Sequence, residues 1–96
     1  MANFELTVRE KNLDVKIRSS GNGLGIEIAS MTRDGALHKA FLEKNERPGI
    51  GDKLIAVNGQ DVSSLTYEKV LDILSAALNG TEDVVLGITR HHSGIL

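Results

Sequence analysis

Residues 48–59, reading PGIGDKLIAVNG, constrain this chain of 96 residues more than any other stretch. A glycine-rich approach ends in Gly51-Asp52, the apolar run Leu54, Ile55, Ala56 and Val57 follows, and Asn58-Gly59 closes it. Asn-Gly turns a chain readily because both residues tolerate positive φ at low cost. An apolar run this short, with turn residues on both sides, is too brief for a helix and reads as a buried strand. The rest of the chain has to pack around that strand.

Residues 4–9 alternate apolar and polar, as a half-buried strand does with Phe4, Leu6 and Val8 inward. Residues 13–18 alternate again with Leu13, Val15 and Ile17 on one face, and Leu24, Ile26 and Ile28 begin a third run ending near Met31. The turn chemistry between them predicts a hairpin around Asn22-Gly23. Asp34-Gly35 is a candidate cap for a short helix in which Leu37, Ala40 and Phe41 are spaced helically, and Pro48 cannot continue it. Asp61-Val62 reads as a very short strand. Residues 64–78 form the clearest helix, with Ser64 or Thr66 as N-cap and Val70, Leu71, Leu74, Ala77 and Leu78 as its apolar face. Asn79-Gly80 stops it, and Val84, Val85, Leu86 and Ile88 supply a last strand. The order β-β-β-α-β-(β)-α-β, with strands outnumbering helices and no regular alternation, predicts an α+β barrel-like sandwich rather than a doubly wound sheet.

Composition narrows the function classes. The length suits one domain, expected over residues 1–90 with a short tail at 91–96. A hydrophobic share of 41% with only 3% aromatics implies an aliphatic core. A net charge of −2 argues against a nucleic-acid partner. No apolar run approaches the roughly 18 residues of a spanning helix, so no membrane insertion is expected, and the first residues lack the pattern of a signal peptide. With no cysteine there is no thiolate nucleophile or disulfide framework, which fits a cytoplasmic domain that reaches membranes only through partners.

The central block Gly51-Asp52-Lys53-Leu54-Ile55-Ala56-Val57-Asn58-Gly59 resembles the Gly-Asp-x-Ile/Leu-x-x-Val-Asn-Gly signature of PDZ domains. The resemblance extends from about Phe4 to Arg90 in the non-permuted, metazoan-type strand order. It implies a five- to six-stranded antiparallel sandwich or partly open barrel with two helices. It also implies a non-enzymatic module that binds the C-terminal peptide of a partner as an added strand between the second strand and the long helix. In such domains backbone N–H groups of a loop written x-Φ-Gly-Φ hold the peptide carboxylate.

Two stretches compete for that loop. Gly23-Leu24-Gly25-Ile26 matches its spelling, but placing the loop there leaves too little chain before Gly51-Asp52 and one strand too many before it. Placing it at Lys11, Asn12, Leu13, Asp14 and Val15 uses every segment once, and is the preferred register. It sets Asn12 and Asp14 where the family favours glycine, and it brings an acidic side chain near the carboxylate, which Arg9 or Lys11 would offset. By the same resemblance Leu13, Val15 and Ile17 line one wall of the pocket for the last ligand residue, and Leu71 and Leu74 the other. Tyr67 falls where many members have histidine. With Lys16 or Lys69 nearby, it is expected to favour Asp or Glu two residues before the ligand terminus.

Other readings weigh less. From periodicity alone Leu13, Val15, Ile17, Leu71 and Leu74 are simply core, and Tyr67 a staple at a helix start. Asp52 is expected to order a turn, not to catalyse. His91-His92 point to opposite sides of an extended chain and chelate poorly, so no metal or cofactor is expected. No catalytic spacing links Ser, His and Asp. The PDZ-like domains of periplasmic proteases are permuted, whereas here the first strand comes first. An alternative is a PDZ fold with weakened carboxylate capture that binds internal motifs or another domain. The chain is expected to be mostly monomeric. Its apolar Ile95 and Leu96 are a candidate for docking in another copy's groove, although Gly94 brings no side chain to the selective position.

Overall fold

Asn58 and Gly59 adopt φ of 50° and 83°, so the Asn-Gly turn forms as its residue types dictate. It joins β4 (Lys53–Val57) to the short β5 (Gln60–Asp61). Asn58 also clamps the neighbouring strand: its N–H donates to the Val85 carbonyl at 2.7 Å, and its Oδ1 accepts the Val85 N–H at 2.8 Å. The computed structural model describes residues 2–10, 12–20, 23–47 and 49–90. Lys11, Asn22, Pro48, the His91-His92 pair and the tail with Ile95 and Leu96 lie outside the described residues.

The other strands are β1 (Ala2–Val8), β2 (Val15–Ser19), β3 (Ile26–Met31) and β6 (Val84–Arg90). They form one antiparallel sheet in the order β1-β6-β4-β3-β2, with β5 paired to β4. The helices are α1 (Ala36–Glu43) and α2 (Tyr67–Leu78). This is the predicted α+β architecture with six strands and two helices, built as one continuous sheet whose path ends at β1 and β2. Leu6 and Val8 are buried from β1, Leu54 and Val57 from β4, and Leu86 and Ile88 from β6. Helix α1 adds Leu37, Ala40 and Phe41, and α2 adds Val70 and Leu74. Most of this core is aliphatic, with Phe41 fully inside and Phe4 packed edge-on against it at 5.9 Å between centroids.

Some element boundaries differ from the sequence expectation. Strand β3 begins at Ile26 rather than Leu24, because Leu24 forms an isolated bridge to Thr66 instead of joining β2. Helix α2 begins at Tyr67 rather than residue 64; Val62 is fully buried and its N–H donates to Ile55 at 2.8 Å, so the chain is still attached to β4 at that point. Thr66 is its N-cap, accepting the Lys69 N–H at 3.3 Å. The cap of α1 is Gly35, with no side-chain bond; Asp34 stands before it at φ 65°, its N–H donating to Nδ1 of His38 at 3.2 Å. The short β5 takes Gln60 and Asp61, not Val62.

Asp52 is buried and bound to Arg90 at the end of β6. The guanidinium Nη2 reaches Asp52 Oδ2 at 2.8 Å and Nε reaches the same oxygen at 3.1 Å. Arg90 also donates to the Arg47 carbonyl and to Glu46, and stacks 5.2 Å and 5.8 Å from the ring centroids of Phe4 and Phe41. The hydrogen bond to Asp52 raises the Arg90 pKa, against the opposing effect of burial. Gly49 lies so close over Asp52 that a Cβ there would stand 2.4 Å from the carboxylate oxygen.

Removing one member of a buried ion pair leaves the other unpaired and costs about 3–5 kcal/mol. Arg90→Met is therefore expected to lower the urea midpoint by roughly 2 M, given the slopes typical of small domains. An unchanged midpoint would mean that water already screens the pair.

Candidate peptide-binding groove

Strand β2 ends the sheet, and among the described residues no strand pairs with its outer side. Its backbone pattern shows which groups face outward. Thr32 N–H donates to the Asp14 carbonyl at 2.9 Å, and Val15 stands opposite Met31 as the next pair. Bonded and non-bonded pairs alternate along an antiparallel ladder, so Val15 directs its N–H and C=O away from β3. A register shift between Lys16 and Ile17 marks a bulge further along the same strand.

Beneath this edge lies an apolar cavity of about 20 Å³. Leu13, Val15, Ile17 and Leu74 line it, with Ile28 and Leu37 among the deeper walls. The sequence reading brought these four residues together, and the structure does so too. Leu13 and Leu74 are also members of the buried core. Leu71 is half-buried, packs outside that cluster and does not line the cavity. Tyr67 opens α2 and is half-buried, packed against the core. Lys16 and Lys69 are exposed.

The loop of residues 12–14 is tightly held. Leu13 accepts the Leu37 N–H at 3.1 Å, which ties the loop to the first turn of α1. Asp14 takes φ 55°, a conformation Asp and Asn tolerate better than other side chains. Its Cβ lies 2.5 Å from where a Gly35 side chain would begin and its Oδ2 3.1 Å from that point, so the carboxylate is turned toward the N-cap of α1, where the helix dipole favours negative charge. The glycine at position 35 makes that approach possible. Arg9 does not offset Asp14: its guanidinium pairs with Glu43 at 3.3 Å and Asp83 at 3.6 Å, at the far ends of α1 and the turn before β6.

The Gly23-Leu24-Gly25 stretch has a different task. Gly25 N–H donates to the Leu65 carbonyl at 2.6 Å, Leu24 bridges Thr66, and Ser20 N–H donates to the Gly25 carbonyl at 3.3 Å. These bonds clasp the end of β2 and the start of β3 to the residue that caps α2. They close one end of the space between β2 and α2, while the 12–14 loop stands at the other. Nothing in the local spelling distinguished this clasp from a carboxylate loop. A second feature unread in the sequence is the bond from Asp14 N–H to Asn12 Oδ1 at 3.0 Å, although Asn is known to accept from the N–H two residues on. At the base of the clasp, Asp61 accepts from Ser63 Oγ and N–H at 2.7 and 2.8 Å, and those bonds hold its pKa below the ordinary carboxylate value. Among the described residues no three His, Asp or Glu side chains converge as a metal would require, and no helix is long and apolar enough to cross a membrane.

A sheet edge with a helix lying beside it and an apolar cavity under the gap has the geometry that strand addition requires. No family model matches the chain. It is 32% identical over 96 residues to FERM and PDZ domain-containing protein 2 of Mus musculus, a match covering 86% of this chain and 7% of that protein. It is 29% identical over 98 residues to Partitioning defective 3 homolog B of Mus musculus, covering 90% of this chain and 8% of the relative. The chain thus spans less than a tenth of either protein. The PDZ domain of choanoflagellate GIPC bound to GAIP peptide superposes with a TM-score of 0.75 at 13% identity, covering 98% of this chain and 96% of that one. The PDZ domain of choanoflagellate SHANK1 bound to GIRK3 peptide gives 0.72 at 22% identity, covering 96% of each. In fold, this chain is a PDZ domain.

Gly25 is buried at φ 72°, and a Cβ there would meet the Ser63 carbonyl at 3.4 Å. Gly25→Ala is expected to cost about 1–2 kcal/mol through left-handed strain alone, read as a fall in the denaturation midpoint. If the midpoint holds, the clasp adapts and does not set the groove's width.

Proposed function

We propose that this domain is a non-enzymatic interaction module that takes the C-terminal peptide of another protein as an extra strand along β2. The observation that carries the reading is the unpaired edge of β2 directly above the cavity lined by Leu13, Val15, Ile17 and Leu74. The peptide's main chain would complete the ladder at Val15 and beyond. Its last side chain, a hydrophobic one, would enter the cavity, and its carboxylate would meet the loop of Asn12, Leu13, Asp14 and Val15. At about 20 Å³ the cavity holds little more than a water molecule, so the side chain enters only as α2 and β2 part. Two structures with the same fold carry peptides, and that supports the reading. A cytoplasmic scaffold is the setting that fits it, with partners supplying any membrane attachment.

Such contacts bury little area, so a Kd on the order of micromolar is expected, about −8 kcal/mol. The test is a titration with peptides that end in a hydrophobic residue, each made as free acid and as amide. Free acids are expected to bind more tightly than amides. Leu71→Ala is expected to weaken binding several-fold with little loss of stability, since Leu71 packs outside the core cluster. Leu74→Ala cannot serve, because a buried leucine truncated to alanine costs about 2–5 kcal/mol. Equal affinity for acid and amide would remove the loop from the site.

Tyr67 at the first position of α2 selects the ligand residue two before the terminus, in this reading, through its hydroxyl and with Lys16 or Lys69 near. Profiling Tyr67→His against peptides with Asp, Glu, Ser or Thr at that position is expected to move the preference from acidic toward hydroxyl side chains. An unmoved preference assigns Tyr67 to packing alone.

A further inference from the structure

A loop that captures a carboxylate does so with backbone N–H groups that have no partner inside the protein. The 12–15 loop, which the proposed function assigns to that task and on which this inference rests, has one donor already engaged. Its carbonyls are committed to holding its path: Leu13 to the Leu37 N–H and Asp14 to the Thr32 N–H. Val15 turns its N–H outward from β3, free of the ladder. The Asp14 N–H lies between these positions and donates to Oδ1 of Asn12 at 3.0 Å.

The carboxamide oxygen of asparagine sits on a planar carbon, as a carboxylate oxygen does, and presents the same acceptor geometry. It is tethered two residues from its donor, so it reaches the donor without the translational cost an incoming peptide bears. We propose that Asn12 is a specificity-determining residue: its Oδ1 competes with a ligand carboxylate for the Asp14 N–H. An ionised carboxylate is the stronger acceptor and displaces it. The ligand then gains only the difference between the two bonds, and the groove rewards a free C-terminus less than one with an open loop. Asp14 itself is not the competitor, since its side chain is turned onto Gly35.

Asn12→Ala isolates the effect. Asn12 is exposed and does not stand among the residues with positive φ, so alanine strains no backbone there and opens no core. The probe is the tightest sequence from a C-terminal peptide library, made as free acid and as amide. Asn12→Ala is expected to bind the free acid about fivefold more tightly, the worth of one hydrogen bond, and the amide, a weaker neutral acceptor, by a smaller factor. The Asp14 amide is expected to exchange with solvent more slowly in the parent than in the variant, a readout that needs no peptide. If the parent and the variant both prefer the acid but bind it equally, or if the Asp14 amide exchanges alike in both, the competition is overturned while carboxylate capture stands. If both proteins bind acid and amide alike, carboxylate capture itself fails and the inference falls with it.

Discussion

Asp52 and Arg90 leave water together, and most of the sheet's geometry follows from where they meet. A buried carboxylate or guanidinium alone is costly, and a pair is tolerated only when the remaining donors and acceptors are also satisfied. Arg90 meets that condition with Asp52, Glu46 and the Arg47 carbonyl, while its flat faces lie against Phe4 and Phe41. The contacts join the start of β4, the end of β6, the segment after α1, and the rings carried by β1 and α1. Strands β4 and β6 are the middle of the sheet, so β3 and then β2 inherit their placement from this junction.

The groove stands at the opposite extreme of that order. Strand β2 is last in the sheet and is held at its ends rather than along its outer side. The 12–14 loop is tied to α1 and the strand after it; the Gly25 clasp ties the other end to the residues before α2. Between those anchors, among the described residues, no strand pairs with the outer side of β2. An open sheet edge is ordinarily a hazard, since any chain can add to it. Here the cavity lined by Leu13, Val15, Ile17 and Leu74 lies beneath that edge. Leu13 and Leu74 serve both as core and as cavity wall, whereas Leu71 packs outside the core cluster.

Much of this was legible in local residue pattern. The inward face of β1 followed from alternation, β6 from an apolar run, α2 from helical spacing, and the β4 turn from Asn58-Gly59, because each is governed by contacts within a few residues. Boundaries moved where distant partners intervened. Leu24 alternates with Ile26 as a strand should, but Thr66 claims it; the helix is read from Ser64, yet Val62 is still anchored to β4 and Thr66 is the N-cap. The spelling Gly23-Leu24-Gly25-Ile26 was set aside on segment order, and the bond from Gly25 to Leu65 shows what those glycines accommodate.

By itself, then, the sequence determined the α+β class and the element order, since periodicity and turn chemistry are properties of neighbouring residues. Tertiary structure alone decided that Arg90 would find Asp52 across the sheet and that Arg9 would turn to Glu43 and Asp83 rather than to the loop. It also decided that Asp14 would lie on Gly35 and Asn12 on the Asp14 N–H. A charge or an amide seeks the nearest unsatisfied group in space, and only the folded chain establishes which group that is.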